Sequence, residues 1–217
     1  MAKILPCGCP VQPSPWVMRW RHLIDPSGEV LDLACGEGRH TAMLLLEGRR
    51  VLACDINLSG MTALKDHPLL TLEARDLEGD PWPWGPECFA GIIVTNYLHR
   101  AHFPHYWESL APDGIFITET FNRVNGVIWG HPRNPDHFLE SGELLRLMPA
   151  GARLIAFEEG LTPEGWSVER LVFAKPGPRA PLAYPFEADA GTKPFSEPSA
   201  SSSLSVLAEA SSRFSSR

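Results

Sequence analysis

The sequence predicts an α/β fold in which short buried strands alternate with helices around a mixed sheet, and three observations carry that expectation. Val30-Leu31-Asp32-Leu33-Ala34-Cys35-Gly36-Glu37-Gly38-Arg39-His40 is an apolar run that ends in an acid, followed by two glycines two apart and a helical stretch beginning at Thr41. The pattern recurs, because Val51 to Asp55 and Leu70 to Asp76 are apolar runs that again end in an acid. Finally, the apolar runs near 153–160 and 166–174 flank the turn Thr162-Pro-Glu-Gly165, which predicts a hairpin and one antiparallel edge strand.

In chain order, residues 1–13 read as an irregular lead-in rich in Pro and Cys. Ser14 can cap a helix whose first position suits Pro15, and Trp16, Trp20 and Leu23 share one face of it. That face is expected to pack in the core. Pro26-Ser-Gly turns into strand one, about 29–34, and the next helix runs to about Leu46 with Gly48 as its stop. Strand two is about 50–54, a helix follows over 57–67 until Pro68, and strand three is about 69–75. Asp80-Pro-Trp-Pro-Trp-Gly-Pro86 is a rigid loop, its tryptophans expected on the sheet edge.

Phe89-Ala-Gly-Ile-Ile-Val-Thr95 is apolar throughout, as a central parallel strand buried on both faces should be. A helix over Tyr106 to Leu110 then leads through Ala111-Pro-Asp-Gly114, with Gly114 as the left-handed position, into strand five at about 115–120. Residues 122–136 read as a long irregular insertion of the lid or substrate-loop kind, and Phe138 to Met148 as a helix. From Lys175 the composition turns to Pro, Ala, Gly and then Ser, so 176–217 is expected to be a tail without a core, with at most a helical turn at 204–210.

With 217 residues and 44% hydrophobic content, the chain can bury one full-sized core, expected over 14–175. A net charge of −7 argues against a general nucleic-acid binder. No apolar run reaches the ~20 residues of a membrane span, and the expected location is cytoplasmic. Five cysteines are an odd number without the density of a secreted scaffold, so Cys35, Cys54 and Cys88 are expected as reduced, buried thiols. Cys7-Gly-Cys9 lacks a second Cys/His pair, and His99, His102 and His105 rotate past one another on a helix, so no metal site is expected.

Glycines in the 34–38 turn let a ligand approach the backbone, while the following helix offers free N–H groups. Thr41 stands where a dinucleotide fingerprint needs Gly or Ala, and no P-loop ending is present. The turn instead resembles the first motif of class I S-adenosylmethionine (SAM) methyltransferases, on Asp32, Gly36 and Gly38. Ala34 in place of that motif's first glycine suggests a backbone without positive φ there. The strand order and the Leu110-x-Pro-x-Gly114 turn are similar as well. The resemblance covers residues 14–175 and implies a Rossmann-like seven-stranded mixed sheet, parallel with one antiparallel edge strand, in three αβα layers.

For the site, the resemblance implies that the methionine carboxylate meets the N–H groups from Gly36 to Arg39, and that Asp32 helps hold the ammonium end. Asp55 would accept from the ribose hydroxyls and Asp76 from the adenine amino group, with the Leu77 backbone reading the ring. Ala34, Cys35, Ile56, Thr95 and Asn96 complete the implied cofactor lining, and the resemblance also implies that the helix from Pro15 lies over the ligand pocket. Tyr97, His99 and Arg100 fall on the acceptor side, where an oxygen or amine nucleophile would use His99 or Tyr97 as base; a thiolate, selenide or tellurium anion would need none. Trp16-Val-Met-Arg-Trp20, Gly38-Arg39-His40, Asn96 to Arg100, Glu119-Thr-Phe121 and the run from Asn134 are similar to small bacterial methyltransferases of the tellurite-resistance type. The implied activity is in-line methyl transfer to a small molecule, with no nucleic-acid or membrane partner. The alternatives are a SAM-binding domain without turnover and a nucleotide-dependent oxidoreductase. The sequence leaves the oligomeric state open.

Overall fold

Alternation along the central strands points Leu31, Leu33, Ile92 and Val94 to one face of a sheet and Val30, Ala53, Ile93 and Ile117 to the other, so two cores form. A computed structural model describes residues 12–178 of the chain. Its strands are β1 (Glu29–Leu33), β2 (Arg50–Asp55), β3 (Leu70–Ala74), β4 (Phe89–Thr95), β5 (Leu110–Phe121), β6 (Arg153–Leu161) and β7 (Ser167–Ala174). They form a seven-stranded sheet in the order β3-β2-β1-β4-β5-β7-β6. The first five strands pair in parallel; β7 runs antiparallel to both β5 and β6, and this hairpin supplies the antiparallel edge.

Helices α1 (Pro15–Trp20) and α2 (Arg39–Leu46) cover one face with Trp16, Trp20, Met43 and Leu44. Helix α3 (Phe103–Ser109) and α5 (Glu143–Leu147) cover the other with Phe103, Tyr106 and Leu144. As expected, Ser14 caps α1 by accepting from the Trp16 N–H, and Gly48 ends α2 at φ +74°. No helix of the described residues is long and apolar enough to cross a membrane. The lead-in up to residue 11, with Cys7 and Cys9, and the tail from residue 179 lie outside the described residues.

Several expected elements differ. The helix over 57–67 reduces to a 3-10 turn, Ser59–Met61, because Asp55 and Asn57 side chains accept from the N–H groups two residues on and hold the chain in Asx turns. Conversely, 122–136 is not structureless: the Asn122 side chain caps α4 (Arg123–Trp129), and a 3-10 turn follows at Pro135–His137. The helix expected from Phe138 shrinks to α5, since Leu139 is drawn into a bridge with Asn122. Asp113, not Gly114, takes the left-handed position, and it lies within β5, which already begins at Leu110. Cys35 and Cys54 are buried, but Cys88 is exposed beside the Gly85 carbonyl. Trp82 packs on Tyr106 and His102 of the helical layer and not on the sheet edge.

A polar anchor holds α5. Glu169 on β7 has 0% exposure, and its carboxylate accepts from the backbone N–H groups of Glu143 and Leu144 at 3.3 and 3.0 Å. Removing it strands those donors in the core. Glu169→Ala is expected to lower unfolding free energy by about 2 kcal/mol or more, measured by urea denaturation, while Glu169→Gln keeps an acceptor and loses less.

Candidate functional site

Parallel pairing of β1 with β2 and β4 sets Leu33 level with Cys54 and Val94, so the residues that follow these strands emerge side by side at one end of the sheet. In doubly wound sheets this is where ligands bind. The chain turns sharply there: Ala34, Gly36 and Gly38 have φ of +53°, +56° and +76°, and Asn96 beyond β4 has +57°. Ala34 therefore does need positive φ, contrary to the sequence expectation. Two left-handed residues other than glycine, on adjacent strand ends, mark a turn whose shape is imposed by its surroundings.

The imposed shape comes from hydrogen bonds. Cys35 N–H donates to the Cys54 carbonyl at 3.1 Å, Gly38 N–H to the Cys35 carbonyl at 2.9 Å, and Gly36 N–H to Asp55 Oδ2 at 2.9 Å. A side chain at Gly36 would meet nothing within 4 Å, so the loop faces open space there, whereas one at Gly38 would run into the Met61 sulfur. Gly38 precedes α2 without a side-chain cap. Asp32, 2% exposed, lies beneath the loop and accepts from Thr41 Oγ1 at 2.5 Å. Burial raises its pKa from 3.8 to about 6, against the opposing pull of the Thr41 hydrogen bonds and the Arg39 charge.

On the β2 and β3 side, Asp55 also accepts from Asn57 N–H at 3.0 Å, and Ile56 beside it is 68% exposed. Asp76 Oδ1 accepts from Glu78 and Gly79 N–H, each at 3.1 Å, and Leu77 is buried. On the β4 side, Thr95 Oγ1 accepts from Arg39 at 3.2 Å, and Asn96 N–H donates to the Glu119 carbonyl at 2.8 Å.

Solved structures share this fold. A SAM-dependent methyltransferase from Methanosarcina mazei matches at a TM-score of 0.58 and 15% identity, over 77% of this chain and 100% of its own. One from Mesorhizobium loti matches at 0.59 and 16%, over 71% and 95%. The chain has the methyltransferase fold. The 1,6-didemethyltoxoflavin-N1-methyltransferase of Burkholderia thailandensis, with that compound and S-adenosylhomocysteine bound, matches at 0.53 and 22%, over 74% and 76%. No protein-family model and no curated protein sequence matches the chain.

Within the methyltransferase fold, the residues expected on the acceptor side separate. Tyr97 packs against the core cluster that holds Leu77 and Cys54, and burial, with the charges of Glu78 and Asp76, pushes its phenol far up. Burial thus favours the neutral phenol, which can donate a hydrogen bond. His99 is partly buried, its ring 4.3 Å from that of His102. Arg100 is taken up by Glu143, at 2.6 and 3.1 Å, and by the carbonyls of Asp136 and Phe138, so it clamps the segment that follows α4.

Sequence reasoning missed a second network at the same end. Ser14 N–H donates to His40 Nε2 at 3.0 Å, and its hydroxyl to Glu119 Oε1 at 2.9 Å; Arg170 binds the other Glu119 oxygen at 2.5 Å and reaches Glu158. Burial, with the Arg39 charge, lowers the His40 pKa to about 3, so it accepts as a neutral ring. His40 within the motif was the available signal; the partners Ser14 and Arg170 lie far from it in sequence and carry none.

Two outcomes follow from this geometry. Ala34→Gly should relieve the left-handed strain and stabilise the fold by up to about 1 kcal/mol, read by urea denaturation. Between pH 4 and 6 the folded chain keeps a proton on Asp32 that the unfolded chain has released, so this stability is present below pH 4 and lost as pH rises through about 6. The full difference is about 3 kcal/mol. Asp32→Asn should accordingly gain stability relative to wild type at pH 7.5 and much less at pH 4.5; a pH-independent difference would refute this cause.

Proposed function

We propose that the chain binds SAM across the ends of β1 to β4 and transfers its methyl group to a small molecule. The observation that carries this reading is the 34–38 turn, where an uncapped α2 start, open space at Gly36 and Asp55 fixed beside it form one cradle. The cradle fits the cofactor. Backbone N–H groups at a helix start suit a carboxylate, and the carboxylate of Asp55 has lone pairs beyond those used by Gly36 and Asn57 for a ribose diol. Asp76 and the Leu77 backbone take the adenine edge, and Ile56 offers an exposed apolar flank. Ala34, Cys35, Thr95 and Asn96 line the turn, and Asp32 acts from beneath, by holding its shape.

Bound there, SAM supplies a methyl already activated on a sulfonium. The protein's own work is placement, an effect worth on the order of 7–11 kcal/mol. Acidic residues at the ends of β1, β2 and β3 favour the cationic cofactor. His99 is the side chain left to take a proton from an oxygen or amine acceptor; a soft anionic acceptor of the tellurite-resistance type needs no base. Arg100 serves by fixing residues 136–143 over the site. Residues 14–175 constitute the catalytic domain, and a small-molecule acceptor is supported by the Burkholderia enzyme of the same fold.

The reading is tested by thermal shift with SAM, S-adenosylhomocysteine and NADH, on wild type and Asp55→Ala. At a hundredfold excess over Kd, SAM and its product should raise the melting temperature by about 5–10 °C, NADH should not, and Asp55→Ala should lose the rise. A response to NADH alone would support the oxidoreductase reading. Bound SAM that is never converted to S-adenosylhomocysteine with any acceptor would leave a binding domain without turnover.

A further inference from the structure

Tyr97 is the first residue after the left-handed turn at Asn96, and its side chain swings away from the end of β5 toward β2 and β3. Its ring packs against the core cluster that holds Leu77 and Cys54, with the His102 ring 6.4 Å away. The carboxylates whose charge bears on its hydroxyl are Glu78, Asp76 and Asp55, all on or just after β2 and β3. Glu119, which ends the neighbouring strand on the acceptor side, is not among them. The hydroxyl is screened from solvent, yet has no hydrogen-bond partner among the described residues. A buried phenol left without an acceptor is an unfavourable arrangement that a native fold retains where something else supplies one.

We propose that Tyr97 is a nucleoside-binding residue, whose hydroxyl donates a hydrogen bond to the adenosine part of the bound cofactor and does not serve the methyl acceptor. Adenosine offers what the site lacks, acceptor atoms on its base and ribose, beside the carboxylates of Asp55 and Asp76 that take its donors. Burial, with the charges of Glu78 and Asp76, favours the protonated phenol, so the hydroxyl is available as a donor. His102, 5% exposed and kept neutral by burial, backs the ring without competing charge. The inference rests on the SAM reading given above and adds a residue to its nucleoside end.

The test is calorimetric binding of S-adenosylhomocysteine and of adenosine to wild type and Tyr97→Phe, together with the melting temperature of each ligand-free protein. Tyr97→Phe should weaken both ligands about tenfold, while the ligand-free protein melts no lower than wild type because no protein partner is lost. Unchanged affinity would overturn the proposal. So would a lower melting temperature of the ligand-free variant, which would show that the hydroxyl already has a partner such as His102. A wild type that binds neither ligand removes the SAM reading itself, and the proposal with it.

Discussion

One buried contact sets the geometry of the binding end: the Asp32 carboxylate on central strand β1 receiving the Thr41 hydroxyl of α2. It fixes how high the start of the helix stands above the sheet, and only a tight, left-handed path between Ala34 and Gly38 can join the two. Ala34, left-handed without being glycine, carries strain of order 1–2 kcal/mol, and a carboxylate inside the fold is itself unfavourable. The packing of both sheet faces offsets these costs. The result is a loop held in shape by its own hydrogen bonds, from Cys35 to the Cys54 carbonyl, from Gly36 to Asp55 and from Gly38 to the Cys35 carbonyl, before any ligand arrives.

The residues after β4 look like one functional row in the sequence but divide among three tasks. Tyr97 turns back toward β2 and β3, His99 stays at the rim, and Arg100 reaches forward to hold Asp136, Phe138 and Glu143. The division follows from the backbone: at φ +57°, Asn96 reverses the strand's alternation, so neighbours in sequence face different walls. A charge network from Arg19 through Glu158 and Arg170 to Glu119 keeps α1 against the same end of the sheet.

The sheet was legible because its signals are local. Apolar runs ending in Asp32, Asp55 and Asp76 needed only their neighbours to be read, as did the continuous run from Phe89 to Thr95. Where a side chain competes with the backbone, or a long-range contact decides, the sequence misled. Asn57 and Ser59 read as a helix start, but Asx turns won; the Phe138 stretch read as helix, but Leu139 found a backbone partner seventeen residues earlier. The turn was located correctly, yet the positive φ of Ala34 depends on the Asp32 contact and the Cys54 carbonyl, neither visible in composition or spacing. Ser14 and Arg170 were out of reach for the same reason, since nothing near them in sequence announces a partner 26 or 51 positions away.

The Ser14 anchor also constrains the order in which the chain can assemble. Its hydroxyl waits for Glu119, 105 residues later, and the Trp16 and Trp20 rings pack in the same cluster as Ile115, Ile117 and Val172. A helix of six residues has little stability alone. Part of the surface on which this helix settles therefore comes from β5 and the β6–β7 hairpin, and its docking is completed only once those strands have formed.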